Sequence, residues 1–245
     1  MRNKKILIAC EESQRVCIEF RNRGFEAYSC DIQKCSGGHP EWHILENALY
    51  VLGGGTVKLQ NGKWLTVDHW DLIIAHPPCT YLSNVAVRHH SLKSTPENRI
   101  EGATIERIHA MDFFMRCFQA PCDKVAVENP VGVMNTVFRQ PDQIIEPYQF
   151  ASSINDTDNY VTKRTCLWLK GLPSLKTNEL PRPDNAKLHG RLSTGKPRNW
   201  VENHCYGNKN GESDAYARSK TFSGIAKAMA AQWGDYIGKE STTRD

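Results

Sequence analysis

The apolar residues of this chain fall in short, unbroken runs rather than in long spans or strict alternation. "KKILIAC" (Lys4 to Cys10) and "DLIIA" (Asp71 to Ala75) carry consecutive aliphatic residues, the pattern of strands buried on both faces. After the first run the period changes. In "ESQRVCIEFRNRG" the residues Val16, Cys17 and Phe20 share one helical face, with Ser13 as a candidate cap and Gly24 as a stop. "FEAYSCDI" (Phe25 to Ile32) then reads as a second strand. Strand, helix and strand in about thirty residues make a βαβ unit, so a parallel sheet is expected.

Downstream, "TVKLQNGKWLTV" (Thr56 to Val67) predicts a hairpin whose Asn61-Gly62 centre suits a type I′ turn. The run Asp71 to Ala75 gives the next core strand. Ile108, Met111, Phe114, Met115 and Phe118 predict a helix over Thr104 to Ala120. "KVAVENP" (Lys124 to Pro130) and the segment around Cys166 to Leu169 predict two more strands. From Pro173 to about Ala217 the periodicity is lost, and Pro, Gly, Asn, Lys and Arg dominate. Helical spacing returns through Ile225, Met229 and Trp233, followed by a polar tail. The expected architecture is α/β, a mostly parallel Rossmann-like sheet flanked by helices, built from 1–172 and 218–245. The segment 173–217 is expected to form a small, loop-rich second region.

Composition narrows this only a little. The chain has 245 residues, 40% hydrophobic and 24% charged, enough for one large domain or a core with an appendage. A net charge of +4 and a pI near 8.5 are compatible with nucleic acid but do not argue for it alone. No stretch approaches the roughly 20 apolar residues of a membrane span, and "MRNKKILIAC" lacks the apolar core of a signal peptide. A cytoplasmic protein without membrane contact is expected. Its nine widely spread cysteines are then expected to be reduced thiols.

Candidate chemistry gathers where a parallel sheet puts its ligands, at the carboxyl ends of the strands. The first core strand ends in "ACEES", the second at Asp31, the third in "HPPC" and the fourth in "ENP". Two prolines remove backbone donors and fix φ, so Pro77 and Pro78 stop the third strand hard and set Cys79 just past its end. Asp31 follows the second strand of a βαβ unit, where a carboxylate commonly holds ribose hydroxyls.

These residues carry a resemblance. "PPCTYLS", with Ser83 four residues after Cys79, resembles the Pro-Pro-Cys motif of the cytosine-5 DNA methyltransferases, and "VENP" resembles their Glu-Asn motif. "HPPCTYLSN", "KRTCLWLKGLP" and "SKTFSGIAKAMAAQWG" look like compact members of that family from bacteriophages and prophages, in order along nearly the whole chain. The resemblance implies a methyltransferase-type sheet and S-adenosyl-L-methionine as cofactor. It implies a DNA substrate, either a duplex with a flipped cytosine or a single strand, in a DNA-modification setting. Cys79 would add to cytosine C6 as a thiolate, splitting one hard step into two. Glu128 would hydrogen-bond N3 and the exocyclic amine.

By the same resemblance Arg164, with Lys163, falls near the family's arginine motif. Cofactor contacts are implied at Cys10, Glu11, Ser13, Asp31, Ile32, Asn47 and Pro77, and substrate contacts at Pro78, Ser83, Asn129 and Lys163. Asp31 matches the ribose-binding acid; Asn47 stands where relatives carry an adenine-binding Asp. The chain departs from the family in its first loop, where "ACEESQRV" has no glycine. Glu11 and Glu12 there suit a cation, and the sulfonium and ammonium of the cofactor are cations. The family's Gln after Pro-Pro-Cys is Thr80 here. The recognition region is short for reading several base pairs, so a very short target or a targeting partner protein is expected.

Other readings remain open at this point. The same thiol chemistry suits a free pyrimidine nucleotide or a modified donor, and an idle DNA-binding or inhibitor module would keep the fold without the reaction. Cys30, Cys35, His39 and His43 have outer spacings that suit zinc, but only three residues separate the two pairs and Cys30 is expected inside a strand; no metal is expected. His89-His90, just past the thiol, could reach a phosphate.

Overall fold

The computed structural model describes residues 4–84, 101–197, 200 and 219–239, the side chains of 101–104 excepted. His89, His90 and most of 198–218 lie outside these residues. The aliphatic run of β1 (Lys5–Ala9) pairs in parallel with β2 (Glu26–Asp31) on one side and β6 (Leu72–Ala75) on the other. Beyond β2 lies β3 (His43–Leu45), and beyond β6 lies β7 (Val125–Pro130), both parallel to their neighbours. Two strands run the other way: β9 (Thr165–Lys170) pairs antiparallel with β7, and β8 (Gln143–Ile145) antiparallel with β9. The spatial order is β3-β2-β1-β6-β7-β9-β8. The α/β, mostly parallel, Rossmann-like sheet is therefore present, with helices on both faces.

Side-chain alternation sorts the core cleanly. Ile6, Ile8, Leu72, Ile74, Ala126 and Leu167 point to one face, and Leu7, Ala9, Ile73, Ala75, Val127 and Trp168 to the other. The first face is covered by α1 (Arg15–Asn22), through Val16, Cys17 and Phe20, and by α3 (Ser223–Lys239). Ile225, Met229 and Ile237 of α3 are buried there, each contributing about 1.5–3 kcal/mol by leaving water. Where α3 crosses Phe25 it carries Gly234, whose Cβ would lie 2.8 Å from the ring. The second face is covered by α2 (Glu101–Phe118), with Phe114 edge-on to Trp168 at 5.0 Å.

Several local expectations change. The hairpin of β4 (Gly55–Lys58) and β5 (Trp64–Val67) is present, but its turn is not type I′. That turn needs two left-handed residues, and only Gly62 (φ 90°) is left-handed. Leu59 N donates to the Lys63 carbonyl and Gly62 N to the Leu59 carbonyl, making a three-residue loop closed by a glycine bulge. Its tip is tied to β3 by Gln60 N donating to the His43 carbonyl. The short edge strands β3 and β8 were too brief to carry a periodic signal. The irregular region begins as a strap on the core: Leu175 is buried, and Trp233 Nε1 donates to the Pro173 carbonyl. It then forms a short helix, Asn185–His189, capped by Asp184.

Candidate functional site

Strand order reverses between β1 and β6, so their carboxyl ends open the crevice in which a sheet of this kind binds ligands. The thiol side is built from the ends of β6 and β7. His76 N still pairs with the Ala9 carbonyl, and Pro77 is buried, but Pro78, Cys79 and Thr80 are exposed. The Cys79 carbonyl accepts from Leu82 N and Ser83 N, both at 3.0 Å, closing a tight turn behind the thiol.

That turn is clamped to the loop after β7. Asn129, buried, donates through Nδ2 to the Pro77 carbonyl at 2.7 Å. Ser83 bridges Gly132 antiparallel, and Val133 N donates to the Leu82 carbonyl at 2.8 Å. A Cβ on Gly132 would stand 2.0 Å from the Leu82 oxygen, so this approach requires glycine. Two predicted substrate contacts, Ser83 and Asn129, thus serve the geometry of the cysteine loop.

Behind the loop lies a partly buried ion pair. His76 Nδ1 is 3.0 Å from Glu128 Oε2. Burial pulls the His76 pKa down, but the Glu128 hydrogen bond and the charges of Glu128 and Glu11 reverse this, and the net shift is upward. Burial likewise pushes Glu128 up, and His76 with Lys163 brings it below the usual carboxylate value. His76 Nε2 is buried without a hydrogen-bond partner among the described residues. Lys163 sits over the rings of Trp200 and Phe222, its Nζ 5.6 Å from each centroid, and its charge reaches both His76 and Glu128. Arg164 is exposed, and its charge is felt at Cys166. Of the two basic residues, Lys163 is the one whose charge acts on that pair.

The other side of the crevice is the glycine-free loop. Its backbone still takes left-handed turns, at Cys10 (φ 61°) and Gln14 (φ 58°). Each costs about 1–2 kcal/mol in a residue with a Cβ. Gln14 is held by its amide, which donates to Ser29 Oγ and the His39 carbonyl and accepts from His39 N. Ser13 is not the cap of α1. Glu11 does that work from upstream: its carboxylate accepts from Val16 N at 2.6 Å and Cys17 N at 3.2 Å. Burial raises its pKa, partly offset by His76 and these two amides. Glu11 is therefore committed to the helix terminus, and Asp31 is the partly exposed acid at the carboxyl end of β2.

Asp31 is half-buried, and burial raises its pKa; one of its oxygens accepts from Gln33 N. Ile32 beside it is 75% exposed, an apolar surface at the mouth of the crevice. Asn47 caps its own turn, Oδ1 accepting from Leu49 N. The zinc quartet is not assembled. His43 donates from Nε2 to the Gln33 carbonyl and pairs through Nδ1 with Ser29 Oγ; His39 stacks on Trp42; the Cys30 thiol points at the Glu46 carbonyl. Among the described residues no group of three or more His, Cys, Asp or Glu could hold a metal, and no helix is long and apolar enough to cross a membrane. Two surface grooves, near Phe25 and Trp42, lie at the opposite end of the strands.

Searches against protein-family models and curated proteins return no match. Sequence reasoning overlooked His76, Gly132 and Gln14. His76 stands inside the quoted "HPPC", and only the contact with Glu128, 52 residues away, marks it.

Proposed function

We propose that this chain is a cytosine-5 DNA methyltransferase that uses S-adenosyl-L-methionine, with Cys79 as nucleophile and Glu128 as the group facing N3. The observation that carries this reading is the clamp: an exposed thiol held by Asn129 and Gly132 at the end of β6, next to a strand that carries a partly buried acid near its carboxyl end. Strands β6 and β7 are parallel neighbours, so their ends deliver thiol and acid to one side of the crevice. Across it, the partly exposed Asp31 offers negative charge to a cationic cofactor and keeps acceptor capacity for a ribose diol. The residues present fit the cofactor, which would supply an electrophilic methyl group.

The chain's own part follows from the geometry. Thiolate addition at C6 places negative charge on the ring, and Glu128 with His76 meets that charge at N3. The turn behind Cys79 fixes the direction of attack, an entropic gain made before substrate arrives. Lys163 puts a cation near the same pair. In a duplex the base must leave the stack to reach a thiol at the floor of a crevice.

The test is a covalent complex. Wild-type protein with donor and 5-fluorocytosine DNA should give a denaturation-resistant adduct, and Cys79→Ala should give none. Radiolabelled donor should mark DNA; label entering dCMP but not DNA would move the substrate to a free nucleotide. Absence of any adduct would leave only a binding module.

A further inference from the structure

An ionised carboxylate is a poor partner for N3 of cytosine, because N3 is itself an acceptor. The arrangement around Glu128 favours that ionised form, since its Oε2 stands 3.0 Å from His76 Nδ1 in a partly buried pair. The proton required between Glu128 and N3 must then come from behind the carboxylate. We propose that His76 is the proton reservoir of Glu128, a positioning residue that delivers a proton through that carboxyl group to the target base and takes it back each turnover. The inference rests on the methyltransferase reading for its substrate, and on that pair alone for its chemistry.

Three features suit His76 to this task. Among the described residues its Nδ1 faces one acceptor, Glu128 Oε2. Its Nε2 is buried with no hydrogen-bond partner among the same residues. Its charge is set by groups from three elements: Glu128 at the end of β7, Glu11 in the loop after β1, and Lys163 just before β9. The two acids favour the imidazolium and the lysine opposes it. That balance keeps the proton available without letting the ring hold it too tightly.

The step balances. The Cys79 thiolate pair forms the S–C6 bond, the C5=C6 pair moves to C4–C5, and the C4=N3 pair moves onto N3. Nδ1 gives its proton to the Glu128 carboxylate, which passes one on to N3, leaving a neutral imidazole and an ionised carboxylate. The C4=C5 pair then takes the methyl group at C5, while the donor's sulfonium sulfur keeps the S–CH3 pair and the N3 lone pair re-forms C4=N3. Water from solvent, acting as base, removes the C5 proton, whose pair forms C5=C6 as the C6–S bond breaks with its pair returning to sulfur, and N3 returns its proton through Glu128 to Nδ1. The methyl donor and water are the only other reactants, and no oxidant or reductant is involved.

Two measurements test this. In the resting protein, nitrogen NMR of the His76 ring should show titration above the ordinary histidine value, falling when Glu128→Gln removes the charge. The rate of methyl transfer should then decline on the alkaline side over the pH range in which His76 loses its proton. His76→Gln, which keeps a donor to Glu128 but carries no transferable proton, should lower kcat by about a hundredfold with KM little changed. It should also abolish that alkaline limb. A His76→Gln enzyme with the wild-type pH profile would overturn the relay, as would a His76 ring that is neutral at pH 6 or insensitive to Glu128→Gln. The NMR titration needs no variant of His76 and no turnover. A protein that shows the coupled titration yet methylates neither DNA nor nucleotide would instead overturn the methyltransferase reading.

Discussion

The two sides of the crevice are built by opposite means. On the thiol side, backbone docks on backbone: Ser83 bridges Gly132, and the Asn129 amide holds the Pro77 carbonyl. The cysteine side chain is left exposed, and a histidine nitrogen has no hydrogen-bond partner among the described residues. On the other side, side chains do the holding. Glu11 caps α1, Gln14 ties down the backbone and side chain around it, and Asn47 caps its own turn. A loop fixed by its backbone frees its side chains for chemistry; a loop fixed by its side chains has fewer left to offer. The first side is therefore where a reacting group is expected, and the second where a ligand is shaped and neutralised.

Breaking the backbone dock should have the largest effect on the fold. Gly132→Ala puts a methyl group 2.0 Å from the Leu82 oxygen, and chemical denaturation should show a loss of about 2–3 kcal/mol. Adduct formation should fall with it, since the turn behind Cys79 is displaced. Cys79→Ala makes the converse test. The thiol is exposed, so denaturation should register a change within about 0.5 kcal/mol while the adduct disappears.

On the opposite side the expected effects are smaller and depend on pH. Glu11→Gln removes one of the two acceptors that cap α1, and at pH 4 should cost about 1 kcal/mol in thermal or urea unfolding. Because burial raises the folded-state pKa of Glu11, its wild-type contribution is full below the ordinary carboxylate value and is lost as pH rises through the raised one. The difference between wild type and Glu11→Gln should therefore shrink from pH 4 toward pH 8. A difference that widens with pH would mean that the carboxylate is stabilised in its charged form. On this side the smaller effect belongs to Cys10→Gly. It relieves a left-handed cysteine at φ 61°, and should change stability by no more than about 1 kcal/mol. Calorimetric titration with S-adenosyl-L-methionine should show affinity equal to wild type or better; a large loss would make the Cys10 side chain part of the pocket.

Much of the frame was legible because it depends on local pattern. The runs Ile6–Ala9 and Leu72–Ala75 could only be buried strands, and the 3.6 period of Val16, Cys17 and Phe20 could only be a helix against them. Glycine was a less reliable guide. Its absence from "ACEESQRV" predicts an altered loop, yet Cys10 and Gln14 adopt the left-handed turns, because the amide of Gln14 offsets the strain through Ser29 and His39. Ser13 has the right chemistry for a cap, but Glu11 reaches the same amides from farther upstream.

By itself the sequence determined the βαβ frame, the hard stop at Pro77-Pro78 and the presence of a thiol, a glutamate and an aspartate at three strand ends. Each of these follows from residues within a few positions of one another. Only the tertiary structure decided which groups act together. The pairing of His76 with Glu128, the nearness of Lys163 to both, and the docking of Leu82 on Gly132 join residues about 30 to 90 positions apart in sequence. The reversal of β9 against β7 was decided there too. Parallel strand order and close packing bring such residues together, and no local periodicity records where a distant strand will lie.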